Sequence, residues 1–226
     1  MPAPRRLIIG ATLICLMSGP VRAQDAASLI RGSEALLRRF RDDPAWAQVW
    51  RVLGGAEGVL VAPRISAAGL FVVAESGQGL VLARHGMRWS DPVGVKLSET
   101  SVGLEGGVRE FGLLLAVLSR ATLDRLIAGG VSYGGDGGFA LGSLGLGSAA
   151  GLGSGGIDTL AVTVSESGAF AGSGVGGMTL APLRGINDML HGADVAPETV
   201  LRRDGRHGST ETLRGLLAEA TRAHFG

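Results

Sequence analysis

The residues with the types and spacing to do chemistry are few. Gly130-Val131-Ser132-Tyr133-Gly134 matches GxSxG, the pattern that in serine hydrolases holds a nucleophile on a strained strand-to-helix elbow with its hydroxyl exposed. His191, His207 and His224 lie downstream as candidate bases. The order around Ser132 is reversed, because a helical pattern precedes it and a Gly-rich stretch follows. A glycine turn leading into a strand accounts for these residues more simply. GxGxxG occurs at Gly151-Gly153-Gly156 and at Gly172-Gly174-Gly177, but neither opens a helix able to hold pyrophosphate, nor stands in a βαβ unit. Lys96, the only lysine, stands in Val95-Lys96-Leu97, away from any phosphate loop. The four histidines, with His85 the first, have no metal-ligand spacing. Asp136 offers one carboxylate where a calcium loop needs several oxygen ligands. It suits a turn within Gly134 to Gly138 instead. Glu105 and Glu110 flank an expected hairpin at Gly106-Gly107, and nothing pairs them for acid–base work. No catalytic residue, metal site or cofactor is expected, and a Ser132 hydrolase is the lesser alternative.

The balance of 21 Lys+Arg against 20 Asp+Glu gives a formal charge of +1 over 226 residues. A nucleic-acid binder normally carries a marked basic excess, so no nucleic-acid partner is expected. With 46% hydrophobic and 18% charged residues, the chain has the material for a core and is not a charged disordered polymer. Residues 1–23 read as a secretory signal: Arg5 and Arg6, the apolar run Leu7 to Met17, and a small-x-small site at Val21-Arg22-Ala23. The apolar run falls well short of the roughly 20 residues of a membrane-spanning helix. Leu13 and Ile14, not small residues, precede Cys15, which argues against lipidation. Cleavage after Ala23 removes three arginines and no acid, leaving 18 basic against 20 acidic side chains. It also removes the only cysteine. The expectation is an exported protein, periplasmic or associated with a bacterial cell envelope, with residues 24–226 as a single domain.

These residues need elements to position them. Leu29, Ser33, Leu36, Leu37 and Phe40 recur at helical spacing, with Arg31, Arg38, Arg39 and Arg41 mainly elsewhere on the wheel. The pattern predicts an amphipathic helix with a basic side over Ser28 to Arg41. Asp42 or Asp43 before Pro44 resembles an N-cap and first position of a second helix through Trp46, Val49, Trp50 and Leu53. From Gly58 the runs Val59–Ile65, Leu70–Ala74 and Leu80–Ala83 predict short antiparallel strands in a meander. Val93–Leu97, Val102–Val108 and Phe111–Leu118 follow, the last apolar on both faces and therefore central. Ser119 caps an expected helix carrying Leu123, Leu126 and Ile127. Thirteen of the 28 residues 129–156 are glycine, which favours closely packed strands and tight turns over a linker. Gly138, Gly142, Gly147, Gly151 and Gly155 could form a glycine zipper in lipid, although glycine is a poor helix former. Strand runs resume at Thr159–Ser165, Ala169–Ser173 and Met178–Ala181. Leu213, Leu216, Leu217 and Ala220 predict a last helix. Ser66/Ser165, Gly69/Gly168, Phe71/Phe170 and Gly77/Gly176 match at an offset of 99 residues, an echo that two Gly-rich strand pairs also produce by chance.

Across residues 29 to 201 the sequence resembles the SYLF family of lipid-binding proteins, whose yeast members organise actin. The resemblance lies in Gly58-Val59-Leu60-Val61-Ala62-Pro63, Gly77-Gln78-Gly79-Leu80-Val81-Leu82, Trp89-Ser90-Asp91-Pro92 and Ser101-Val102-Gly103-Leu104-Glu105-Gly106-Gly107. It continues in Gly134-Gly135-Asp136, Ser167-Gly168-Ala169-Phe170-Ala171-Gly172, Asn187 and His191-Gly192. It implies an α+β domain with an antiparallel, barrel-like or sandwich-like β-sheet, N-terminal helices, one mid-chain helix and a C-terminal helix. It also implies no enzymatic activity and binding to acidic lipid headgroups through an amphipathic N-terminal helix. The counterparts here are Arg31, Arg38, Arg39 and Arg41, facing anionic phospholipid. A basic helix face gains about 1 kcal/mol per Arg near an anionic membrane surface. An ordinary solvated helix face, with Asp42 and Asp43 cancelling part of the charge, is the plain alternative. Trp46, Trp50 and Trp89 could anchor at an interface or fill a core. The second functional expectation is a protein-interaction or assembly module, of which actin bundling is the eukaryotic version. The sequence departs from the family in its secretory signal, its lack of lysine-rich surfaces, and His191 where an aromatic is usual. The signal argues against phosphoinositides and actin as partners.

Overall fold

A straight strand of 28 residues would run about 90 Å, and the first strand of this protein is that long in sequence, β1 Gly58–His85. Its partners are almost as long: β3 Val93–Val117 and β5 Gly156–Pro182. The computed structural model, which describes residues 23–127, 148–153 and 156–226, shows how they fit in a domain. The strands fold double. The main-chain N–H of Arg84 donates to the Glu57 carbonyl at 2.9 Å, so the two ends of β1 meet. A Cβ on Gly77 would lie 2.7 Å from the Arg64 carbonyl oxygen, and one on Gly79 would lie 3.0 Å from that of Val61. Only glycine permits the halves of β1 to approach so closely.

The bend has a visible cause. Gly69 and Gly107 stand opposite each other in the β1/β3 register, and Gly107 has φ 132°, a conformation other residues rarely adopt. A register shift follows at once, between Leu70 and Val72, and such bulges sharpen local twist. Gly106-Gly107 therefore lies within β3 rather than forming a hairpin. The runs read as separate short strands belong to β1, β3 and β5, and the Ser- and Gly-rich stretches between them bend the strands without ending them.

The sheet is antiparallel throughout and open, in the order β2-β1-β3-β5-β4, where β2 is Arg88–Trp89 and β4 is Ser148–Gly153. β3, apolar on both faces near its end, is the central strand as expected. Its side chains alternate between two cores. Leu113, Leu115 and Val117 join Leu60, Ala62, Val81 and Val95 in the interior of the fold, beside Leu123 of α3 (Arg120–Ile127) and Val200 and Leu201 of α5 (Pro197–Leu201). Leu114 and Ala116 join Val59, Val61, Leu80 and Leu82 under a layer of helices. The result is an α+β fold.

That layer consists of α1 Ala23–Asp42, α2 Ala47–Gly55, α4 Arg184–His191 and α6 Glu211–Phe225. Asp43 caps the turn Pro44–Trp46 before α2, its carboxylate accepting from the Ala45 N–H at 2.9 Å. The apolar positions of α1 do what their spacing predicts: Leu37 and Phe40 are fully buried. α1 seats closely, with Gly32 against Pro63 and Leu36 over Gly112. Trp50 and Trp89 are core residues, and Trp89 donates through Nε1 to Thr221 Oγ1 at 3.0 Å. Ser148–Gly153, within the Gly-rich stretch, pairs with β5. The stretch up to residue 22 expected to be a secretory signal, together with Ser132, Asp136 and most of the glycines of the considered zipper, lies outside the described residues. Among the described residues no helix is long and apolar enough to cross a membrane.

Candidate functional site

Because one side of α1 is spent on the core, its other side is held in place. Arg31 and Arg38, seven residues apart, lie nearly over one another on that outer side, and both are exposed. Arg39 is exposed on one flank. Arg41, on the other flank, is engaged: its Nε donates to Asp42 Oδ1 at 2.6 Å, its Nη2 to Asp42 Oδ2 at 3.2 Å, and its Nη1 to Glu219 Oε2 of α6 at 3.5 Å. The Arg41 hydrogen bond holds the Asp42 carboxyl below its ordinary range, with Arg38 adding to the effect, and the same contact raises Arg41. The four arginines named from the sequence thus share one half of a helix, and a carboxylate ties the last of them to the protein.

The residues of Trp89-Ser90-Asp91-Pro92, one piece of the resemblance, hold the molecule together. Asp91 is buried and accepts from the main-chain N–H groups of Arg206 at 2.8 Å and His207 at 3.1 Å, and from Thr210 Oγ1 at 2.9 Å. Burial opposes its charge, but these donors and the Arg214 guanidinium outweigh burial and lower its pKa. Ser90 Oγ accepts from the Ala83 N–H at 3.0 Å. Asn187 performs a similar task between α4 and β3. Its Oδ1 accepts from the Gly94 N–H at 2.7 Å and its Nδ2 donates to the Gly94 carbonyl at 3.0 Å.

Each histidine is taken up by a hydrogen bond of its own. His85 donates to the Leu201 carbonyl, His191 to that of Pro92 and His224 to that of Arg51, at 3.0, 2.8 and 2.9 Å. His207 Nδ1 lies 2.8 Å from Ser209 Oγ. Among the described residues no group of three His, Cys, Asp or Glu could hold a metal ion. Glu110 pairs with Arg64 at 3.9 Å.

Sequence reasoning missed one concave feature, a groove of about 410 Å³ between α1 and α4, bounded also by the chain before α6. Arg31 lines it. The apolar residues of α4 gave no sequence signal of it, because the groove exists only once α4 is laid beside α1.

No curated protein matches the chain, and no solved structure does. The family described as "Ysc84: Las17-binding protein actin regulator" matches residues 98–222, more than half of the 226. The match starts in β3 and runs through α4, α5 and most of α6, so it takes in Asn187 and the donors that meet Asp91. The chain therefore belongs to the Ysc84, or SYLF, family.

Proposed function

We propose that this protein is an exported SYLF module that binds anionic phospholipid headgroups through Arg31, Arg38 and Arg39, with Arg41 adding charge from its tethered position. The activity is binding, not catalysis. The observation that carries it is the division of labour in α1. Its apolar residues are occupied in the core while arginines stand outside, so the helix can offer charge to a surface without leaving its seat. Arginine suits this work because its planar fork of N–H donors matches phosphate oxygens. A few arginines at about 1 kcal/mol each give weak, reversible attachment. Co-sedimentation of the chain from Gln24 with vesicles tests it: binding to phosphatidylglycerol-containing vesicles is expected, and equal pelleting with purely zwitterionic vesicles would reject it.

A second reading is a protein-assembly module. The family description names a Las17-binding actin regulator. Leu70 and Val108, in register neighbourhood on β1 and β3, are exposed, and apolar exposure on a sheet suits a protein partner. Light scattering that finds only monomer, together with unchanged behaviour of a Leu70→Ser variant, would remove this reading.

A further inference from the structure

The groove between α1 and α4 has a composition of which the headgroup reading uses only Arg31. Ile30 of α1 and Met189 and Leu190 of α4 form an apolar wall, while Arg31, Glu34 and Ser209 stand around it. At about 410 Å³ it falls in the range of small-molecule sites, roughly 300–1,000 Å³. Arg31 and Glu34 are three residues apart on α1, a spacing at which opposite charges can pair. Yet neither takes part in an ion pair among the described residues. A cation and an anion that leave each other free beside an apolar wall are complementary to a ligand carrying both signs and a hydrocarbon tail.

We infer that the groove binds one acyl chain bearing a zwitterionic phosphoammonium head, as in a lysophosphatidylethanolamine. The tail lies along Ile30, Met189 and Leu190. The phosphate meets Arg31, with the Ser209 hydroxyl as a further donor, and the ammonium meets Glu34. His207, which also lines the groove, is held by its main-chain bond to Asp91 and places Ser209 through the contact at Nδ1. This site differs from the outer arginine face in needing a negative side chain. A purely anionic amphiphile would put its charge against Glu34 with no cation to offer.

The test is calorimetric titration of the chain from Gln24 with monomeric myristoyl lysophosphatidylethanolamine, its lysophosphatidylglycerol counterpart, and glycerophosphoethanolamine, which lacks the tail. One-to-one saturable binding is expected, with the ethanolamine lipid preferred by about tenfold and the tailless head showing no heat at the same concentration. Glu34→Gln should abolish the preference, and Met189→Trp, at a half-exposed position, should fill the groove and abolish binding. Arg38→Gln with Arg39→Gln should leave this titration unchanged while weakening attachment to anionic vesicles, which separates the groove from the surface. Equal or stronger binding of the glycerol lipid, binding of the head alone, or an unaffected Met189→Trp variant would overturn the inference.

Discussion

Asp91 accepts a 2.9 Å hydrogen bond from Thr210 Oγ1, 119 residues further along the chain. This contact, with the two main-chain donors of Arg206 and His207, fixes the start of α6 to the turn after β2. α6 in turn supports α2 and reaches α1 through Glu219. Replacing Asp91 with Ala strips three donors of their acceptor in a buried place. Loss of about 3 kcal/mol is expected, of the order seen when a buried charge loses its partners. Urea unfolding followed by circular dichroism measures it.

Acid should weaken the fold in two stages. His191 is held below its ordinary 6.5, first by burial and further by His207 and Arg203, against the opposing pull of the Pro92 carbonyl and Asp91. A histidine lowered on folding contributes stability above its unfolded pKa and loses it as pH falls from there. Asp91, lowered from 3.8, behaves in the same sense at lower pH. Melting temperature should therefore decline below about pH 6.5 and again below about pH 4. His191→Gln should flatten the first step and leave the second.

Two glycines in the helical layer should respond oppositely to alanine. A Cβ on Gly54 of α2 would fall on the Ala220 carbonyl of α6, so Gly54→Ala forces the helices apart and should cost about 1–3 kcal/mol. A Cβ on Gly215 meets nothing, and that residue lies within α6. Gly215→Ala should stabilise by about 0.5–1 kcal/mol through backbone entropy. Thermal melts of the two variants suffice.

Much of this architecture was legible in residue spacing. Leu29, Leu36, Leu37 and Phe40 announced the buried side of α1, and Pro44 behind Asp43 announced the start of the second helical segment. The run Phe111 to Leu118, apolar on both faces, marked the central strand. The connections were harder to read. Ser66 to Gly69 and Glu75 to Gly79 have turn composition, but a folded-over strand needs small residues at its bend and where its halves touch, so composition alone could not separate the two. The role of Trp89-Ser90-Asp91-Pro92 was hidden for another reason: its partners Arg206, His207, Thr210 and Thr221 are more than 100 residues away, and long-range pairing leaves no local periodicity. Arg41 likewise gave no sign of Glu219.

Attachment to a membrane should be electrostatic and shallow. With Leu29, Leu36, Leu37 and Phe40 occupied in the core, the arginine-bearing helix α1 has no apolar side left to insert. Vesicle-bound protein should dissociate as salt is raised from about 0.1 M to about 1 M, where screening shortens from about 10 Å to about 3 Å. Tryptophan emission should not shift to the blue on binding. Stopped or steady-state fluorescence in a salt titration reports both.

The most direct measurement is vesicle affinity of a variant with Arg31, Arg38 and Arg39 all changed to Gln, compared with Arg41→Gln and with the unaltered chain, each checked for an unchanged melting curve. Loss of three exposed arginines should weaken binding to phosphatidylglycerol vesicles by about a hundredfold, from about 1 kcal/mol per residue, with Arg41→Gln doing much less. A triple variant that sediments with those vesicles as the unaltered protein does would contradict the account.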